Sequence, residues 1–186
     1  MIIRGRLLVL LLGTGGLSIC PALLLSQQDA PAPADTAGLR FLGFYGGQPV
    51  GELKEHAHEA GRGELSCQPA RSDLRLSECR GGLPELDSGR SVDVWAALID
   101  DHVAILTLSG RLSEARLRRW RELLEGRYGP AVQYHRGPMW MLQWVRHGQM
   151  LRLSWRTKGR DFEVSASLIN GPLLDGWANQ GKRVKS

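Results

Sequence analysis

The sequence predicts an α+β fold, an antiparallel β-sheet with helices packed on one face. Three stretches carry that prediction. Residues 113–128 place Leu117, Trp120, Leu124 and Tyr128 at spacings of three and four, which makes one apolar stripe on a helix. Residues 139–146 and 149–156 alternate apolar and polar side chains on either side of His147-Gly148, a pair suited to a two-residue hairpin turn. Residues 162–168 alternate again, with Phe162, Val164, Ala166 and Leu168 against Glu163, Ser165 and Ser167.

The chain opens on a short basic start containing Arg4 and Arg6, followed by nineteen uncharged residues, 7–25. Residues 1–25 read as a signal peptide or an N-terminal membrane anchor, with the basic end on the cytoplasmic side. Leu17-Ser18-Ile19-Cys20 resembles a bacterial lipobox, with Ile19 where that pattern carries a small residue. Cleavage, retention as an anchor and lipidation at Cys20 all remain open. Residues 26–38 are rich in Ala and Pro and read as an extended linker. The predicted globular part is a single extracytoplasmic domain, 39–180, followed by a basic tail, 181–186.

Within that domain, the apolar run 39–45 reads as a first strand that Gly46-Gly47 ends. Pro49 suits the first turn of a helix whose Val50, Leu53, Ala57 and Ala60 share one face. Residues 64–69 and 74–80 flank a polar turn and read as a hairpin carrying Cys67 and Cys79. Residues 81–90 read as a loop, because Gly81-Gly82, Pro84 and Asp87-Ser88-Gly89 all favour turns. Strands 91–99 and 102–109 follow around Asp100-Asp101, a turn that sets Leu98 opposite Val103 and Ala96 opposite Ile105. Ser113 is a suitable N-cap for the central helix, and Leu123 widens its stripe. Gly129-Pro130 stops it. The His147-Gly148 turn pairs Trp140 with Trp155, Leu142 with Leu153 and Trp144 with Leu151. It pairs Gln143 with Arg152 and Met141 with Ser154 on the other face, and a slip of one residue would mix the two. Asn170-Gly171-Pro172 breaks the last strand, and residues 173–177 make a short closing turn.

The two helices match at a constant offset of 67: Val50, Leu53 and Ala57 fall on Leu117, Trp120 and Leu124. Each helix is followed by four predicted strands, so residues 39–110 and 111–170 read as two tandem α-β-β-β-β repeats. This layout resembles tandem-repeat envelope folds of the beta-lactamase-inhibitor-protein type. The resemblance is one of element order and carries no site or activity with it.

Composition bounds the function. The chain has 186 residues and a formal charge of +5, part of it in the leader. The arginines of the domain alternate with acids on predicted helix surfaces, which points away from nucleic acid. Cys67 and Cys79 on neighbouring strands of an exported domain favour a structural disulfide. His56 and His58, two apart on a helix, point about 200° apart and do not share an ion. No nucleophile elbow, zinc-protease helix, phosphate loop or dinucleotide fingerprint occurs in the sequence. No cofactor or metal is expected.

The expectation is a non-catalytic binding or assembly module of a bacterial-type cell envelope. It is exported to the periplasmic or extracellular side, either membrane-anchored through its N-terminal hydrophobic segment or secreted, and acts on an envelope protein partner. The alternative is an envelope hydrolase or other enzyme whose site is assembled from residues distant in sequence. Candidate surfaces are the loop 81–90, the polar sheet face with Gln143 and Arg152, and the stretch 134–140 with Tyr134 and Arg136, since exposed aromatics and arginine favour interfaces.

Overall fold

The computed structural model describes residues 38–87 and 90–183. The chain divides after Ala34, and every described residue belongs to the second unit. The leader, nearly all of the linker, and tail residues 184–186 lie outside the described residues.

The apolar run at the start of the domain is not one strand. It folds into a miniature hairpin, β1 (Arg40–Phe41) against β2 (Phe44–Tyr45), because Leu42 and Gly43 take φ of 50° and 88° and reverse the chain. Leu39, Phe41 and Phe44 are buried there. Helix α1 (Val50–Gly61) starts after Pro49, and Leu53 and Ala57 point into the core. Arg62, at φ 50°, closes it in the left-handed conformation.

Eight strands then form one antiparallel sheet: β3 (Glu64–Pro69), β4 (Leu76–Asp87), β5 (Arg90–Ile99), β6 (His102–Leu112), β7 (Val132–Arg136), β8 (Met139–Arg146), β9 (Gln149–Lys158) and β10 (Asp161–Asn170). Their order is β3-β4-β5-β6-β10-β9-β8-β7, so the last strand of the chain lies in the middle, against β6. Helix α2 (Glu114–Tyr128) interrupts the series between β6 and β7.

One face of the sheet carries the core. Val94, Ala96, Leu108, Leu153, Ala166 and Leu168 join Leu53 and Ala57 of α1 and Leu117, Trp120 and Leu124 of α2 in a single buried cluster. The stripe on α2 is therefore as expected. Leu123 does not widen it, being 42 % exposed. Ser113 does occupy the N-cap position, yet its side chain makes no cap bond; its carbonyl accepts from Arg116 and Leu117 instead.

The predicted register of the β8–β9 hairpin is the one found, residue for residue, around His147 and Gly148 at φ 48° and 73°. Trp144 and Trp155 are buried, whereas Trp140 stays 41 % exposed near the sheet edge. The β5–β6 register holds at Leu98↔Val103, but Ala96 faces Leu106 rather than Ile105. Ala104 is an extra residue, a β-bulge, and it shifts the remaining pairs by one.

Two elements, the expected loop 81–90 and the closing turn 173–177, differ from the sequence expectation for a common reason: glycine and proline serve close packing or helix initiation, not turns. The expected loop 81–90 is mostly strand, with β4 running through to Asp87. A Cβ on Gly81 would collide with the Glu64 carbonyl oxygen, so glycine there permits close approach of β3. At the other end of the hairpin, Leu74 belongs to the turn and β4 begins at Leu76. Finally, residues 173–177 are not a short turn. Helix α3 (Gly171–Arg183) takes in the start of the expected tail; the Asn170 side chain caps it by accepting from the Leu173 N–H at 3.2 Å. It runs along the end of the sheet, from the Gly148 carbonyl, bonded by the Gly171 N–H, to Asp73, bonded by Trp177 Nε1.

Candidate functional site

The face of the sheet opposite α1 and α2 presents hydroxyls at its centre. Thr107 meets Ser167 at 2.9 Å, and Ser154 meets Ser165 at 2.9 Å. Moving from this strip toward the β7 edge, the side chains grow longer and the surface becomes concave. Tyr134, Arg136, Met139, Met141, Gln143 and Arg152 line an open groove of about 460 Å³.

Two tight turns and a period of two put these residues together. Gly137-Pro138 folds β7 onto β8, with Gly137 at φ 57°, so that Tyr134 pairs with Met141 and Arg136 with Met139. His147-Gly148 folds β9 onto the other side and pairs Gln143 with Arg152. Strand alternation then sends all six side chains to the same face. Tyr134, Arg136, Gln143 and Arg152, selected from sequence, thus share one concavity. Met139 and Met141 complete it; their alternation with Trp140 and Leu142 was the signal that could have added them.

The stretch 134–140 is not one surface. His135 and Trp140 stack on each other with centroids 4.4 Å apart, on the face that carries Trp155, while Tyr134 and Arg136 face the groove. The expected loop surface 81–90 is strand over residues 81–87 and at Arg90, and residues 88 and 89 lie outside the described residues.

The groove is cationic. Two arginines and no carboxylate line it. Arg152 donates to the side-chain Oε1 of Gln143 at 3.3 Å and touches Met150 Sδ at 3.6 Å. Among the described residues neither Arg136 nor Arg152 pairs with an acid. Tyr134 is 45 % exposed, and its ring with the two thioethers supplies apolar surface beside the charge.

A larger cleft of about 580 Å³ lies between α1 and the turns before β4 and β6. Two of its charges, Arg75 and Asp100, compensate each other. Arg75 holds Asp100 through two bonds, of 2.9 and 2.5 Å, and keeps that carboxyl below its usual range. Arg75 also bonds Gln180 of α3.

Cys67, Cys79 and His56, also considered from sequence, have structural partners. Cys67 and Cys79 face each other across β3 and β4 and form a disulfide, with Cα atoms 4.0 Å apart. His56 bonds the Leu42 carbonyl through Nε2 at 2.9 Å and stands edge-on to Phe44, which ties α1 to the β1–β2 turn. His58 is exposed. Among the described residues no group of three His, Cys, Asp or Glu side chains could hold a metal ion.

The six residues that line the groove include no nucleophile–base pair. They offer guanidinium donors, one phenol, one amide and polarisable apolar surface. Set beside known proteins, the chain matches no family model, no curated protein and no solved structure.

Proposed function

We propose that this protein is a non-catalytic binding or assembly module on the extracytoplasmic side of a bacterial-type cell envelope, tethered by its N-terminal hydrophobic segment and acting on a protein partner. The observation that carries this reading is the groove on the face opposite α1 and α2, where six side chains from three strands bring together an exposed aromatic ring, thioethers and guanidinium groups that have no acidic partner among the described residues. Such groups are enriched at protein interfaces. The uncharged stretch 7–25, the Ala/Pro-rich spacer and the Cys67–Cys79 disulfide support an oxidising compartment outside the cytoplasm.

The reading includes an internal duplication, with a pseudo-two-fold axis through the centre of the sheet. Strand β5 falls on β9 at an offset of 59 (149 − 90 and 158 − 99). Beyond the bulge, β6 falls on β10 at 58, one fewer because Ala104 is an extra residue. The paired residues Leu108 and Ala166 differ by that same 58 and would sit on the axis, with Thr107 and Ser109 equivalent to Ser165 and Ser167.

The test is site-specific photo-crosslinking in intact envelopes, with a benzophenone amino acid at position 134 or, as control, at position 123 on the exposed side of α2. One partner attached in stoichiometric yield from 134 and absent from 123, and lost on Arg136→Glu, supports the module. Equal labelling from both positions, or none from either, overturns it.

A further inference from the structure

The groove ends at β7, and β7 ends the sheet. All five residues of this strand are exposed. Alternate residues of an antiparallel edge strand direct their N–H and C=O groups away from the sheet, where they can template another strand. The two edges of this sheet differ in how they meet that hazard. Strand β3 contains Pro69 and is stapled to β4 by the disulfide. Strand β7 has no proline, and it displays Val132 and Tyr134, 58 % and 45 % exposed, on the groove face beside Arg136. Val132 and Tyr134 leave apolar surface uncovered on this edge, which a paired strand would cover.

We propose, building on the module reading, that the partner docks by strand addition: an extended acidic segment pairs with β7 as a ninth strand. Charge selects the occupant. Arg136 has no acidic partner among the described residues, and neither has Arg152, which lines the same groove level with Val132 and Gln143, so a carboxylate opposite Arg136 completes an arginine–carboxylate pair. Apolar side chains opposite Tyr134 and Val132 cover the exposed remainder of that face. Backbone bonds supply affinity and these alternate contacts supply choice. A second copy of this chain fits less well, because β7 paired with itself brings a second arginine and a second histidine instead of acids.

The probe is a capped synthetic peptide bearing Glu-Thr-Val-Thr-Val, which as an antiparallel ninth strand places Glu opposite Arg136 and the valines opposite Tyr134 and Val132. Hydrogen exchange on the full chain is expected to slow at residues 132–136 when the peptide is added. Replacing its Glu by Lys, or Arg136→Glu in the protein, weakens binding about tenfold, and the two changes together restore it. N-methylation of alternate peptide amides removes the strand bonds while leaving the side chains intact, and abolishes protection. Equal binding of the N-methylated peptide overturns the proposal. So does protection confined to other strands, or protection of β7 that rises with protein concentration in the absence of peptide, which identifies self-pairing. Position-dependent crosslinking from 134 with β7 unprotected sinks strand addition alone, whereas failure of both sinks the module reading with it.

Discussion

The Tyr128 hydroxyl and the Arg40 backbone exchange two hydrogen bonds. The hydroxyl accepts from the Arg40 N–H at 2.6 Å and donates to the Arg40 carbonyl at 2.7 Å. One side chain at the end of α2 thus satisfies the N–H and the carbonyl of Arg40 on the two-residue strand β1. Tyr128→Phe leaves both groups in a part-buried site without this partner. A loss of about 1–3 kcal/mol in urea unfolding is expected, together with faster exchange in 39–45; an unchanged midpoint would show that water replaces the hydroxyl.

The Cys67–Cys79 bond closes a short loop, with a sequence separation of 12. In the chain-entropy model a loop of this size stabilises the fold by about 3 kcal/mol. The double substitution to Ala is expected to lower the unfolding midpoint by that order. Because the bond lies at the edge opposite β7, peptide protection of β7 should survive it. Denatured, unreduced protein should resist alkylation at both cysteines; alkylation of both would refute the bond.

Acid should loosen α3 before the core. Asp73 sits below its usual value of 3.8, chiefly because Trp177 donates to it and secondarily because the Arg75 N–H does. A carboxyl with a depressed folded pKa contributes stability that is present above its unfolded pKa and lost as pH falls through the folded one. Asp100, lowered by Arg75, behaves alike at the same end of the sheet. Hydrogen exchange in 171–180 is expected to quicken below the ordinary carboxylate range while β9 and β10 stay protected. Asp73→Asn keeps an acceptor for Trp177 but cannot titrate, so it should flatten that acid dependence.

Two glycines make opposite predictions. Gly126 lies on the exposed side of α2, where an added methyl would have nothing within 4 Å, whereas a methyl on Gly81 meets the Glu64 backbone. Gly126→Ala should stabilise by up to about 1 kcal/mol, the helix-interior difference between the two residues. Gly81→Ala should destabilise and loosen β3 from β4. Equal effects in thermal unfolding would remove the close-approach explanation for Gly81.

Local periodicity made the sheet centre and α2 legible. The pairs from Trp140↔Trp155 to Gln143↔Arg152 follow from alternation and a turn that only one register satisfies. Where the sequence misled, a residue type had two physical uses. Gly81-Gly82 look like part of a loop until β3 is seen against them, a contact that joins Glu64 to Gly81 across the hairpin. Asn170-Gly171-Pro172 ends a strand and equally starts a helix; the deciding feature is the Asn170 side chain bonding forward to Leu173. The bulge at Ala104 leaves no mark in composition. Of the groove, the polar members were visible as an alternating set, but its concavity depends on three strands being adjacent.

Arg152 separates binding from stability. It is half-exposed, and its bonds run to a neighbouring amide and a thioether within the groove. Substitutions at such positions usually change stability by no more than about 0.5 kcal/mol. Arg152→Ala should therefore leave the unfolding midpoint in place. It should still weaken the crosslink from position 134, since it removes one of the two guanidinium groups that give the groove its charge. Arg152→Lys keeps the charge but loses the planar fork, so partial recovery would point to Coulomb attraction and no recovery to paired hydrogen bonding. Salt distinguishes these further, because an exposed charge contact fades as the Debye length shrinks. A crosslink indifferent to both substitution and salt would leave Arg152 without a role in partner binding.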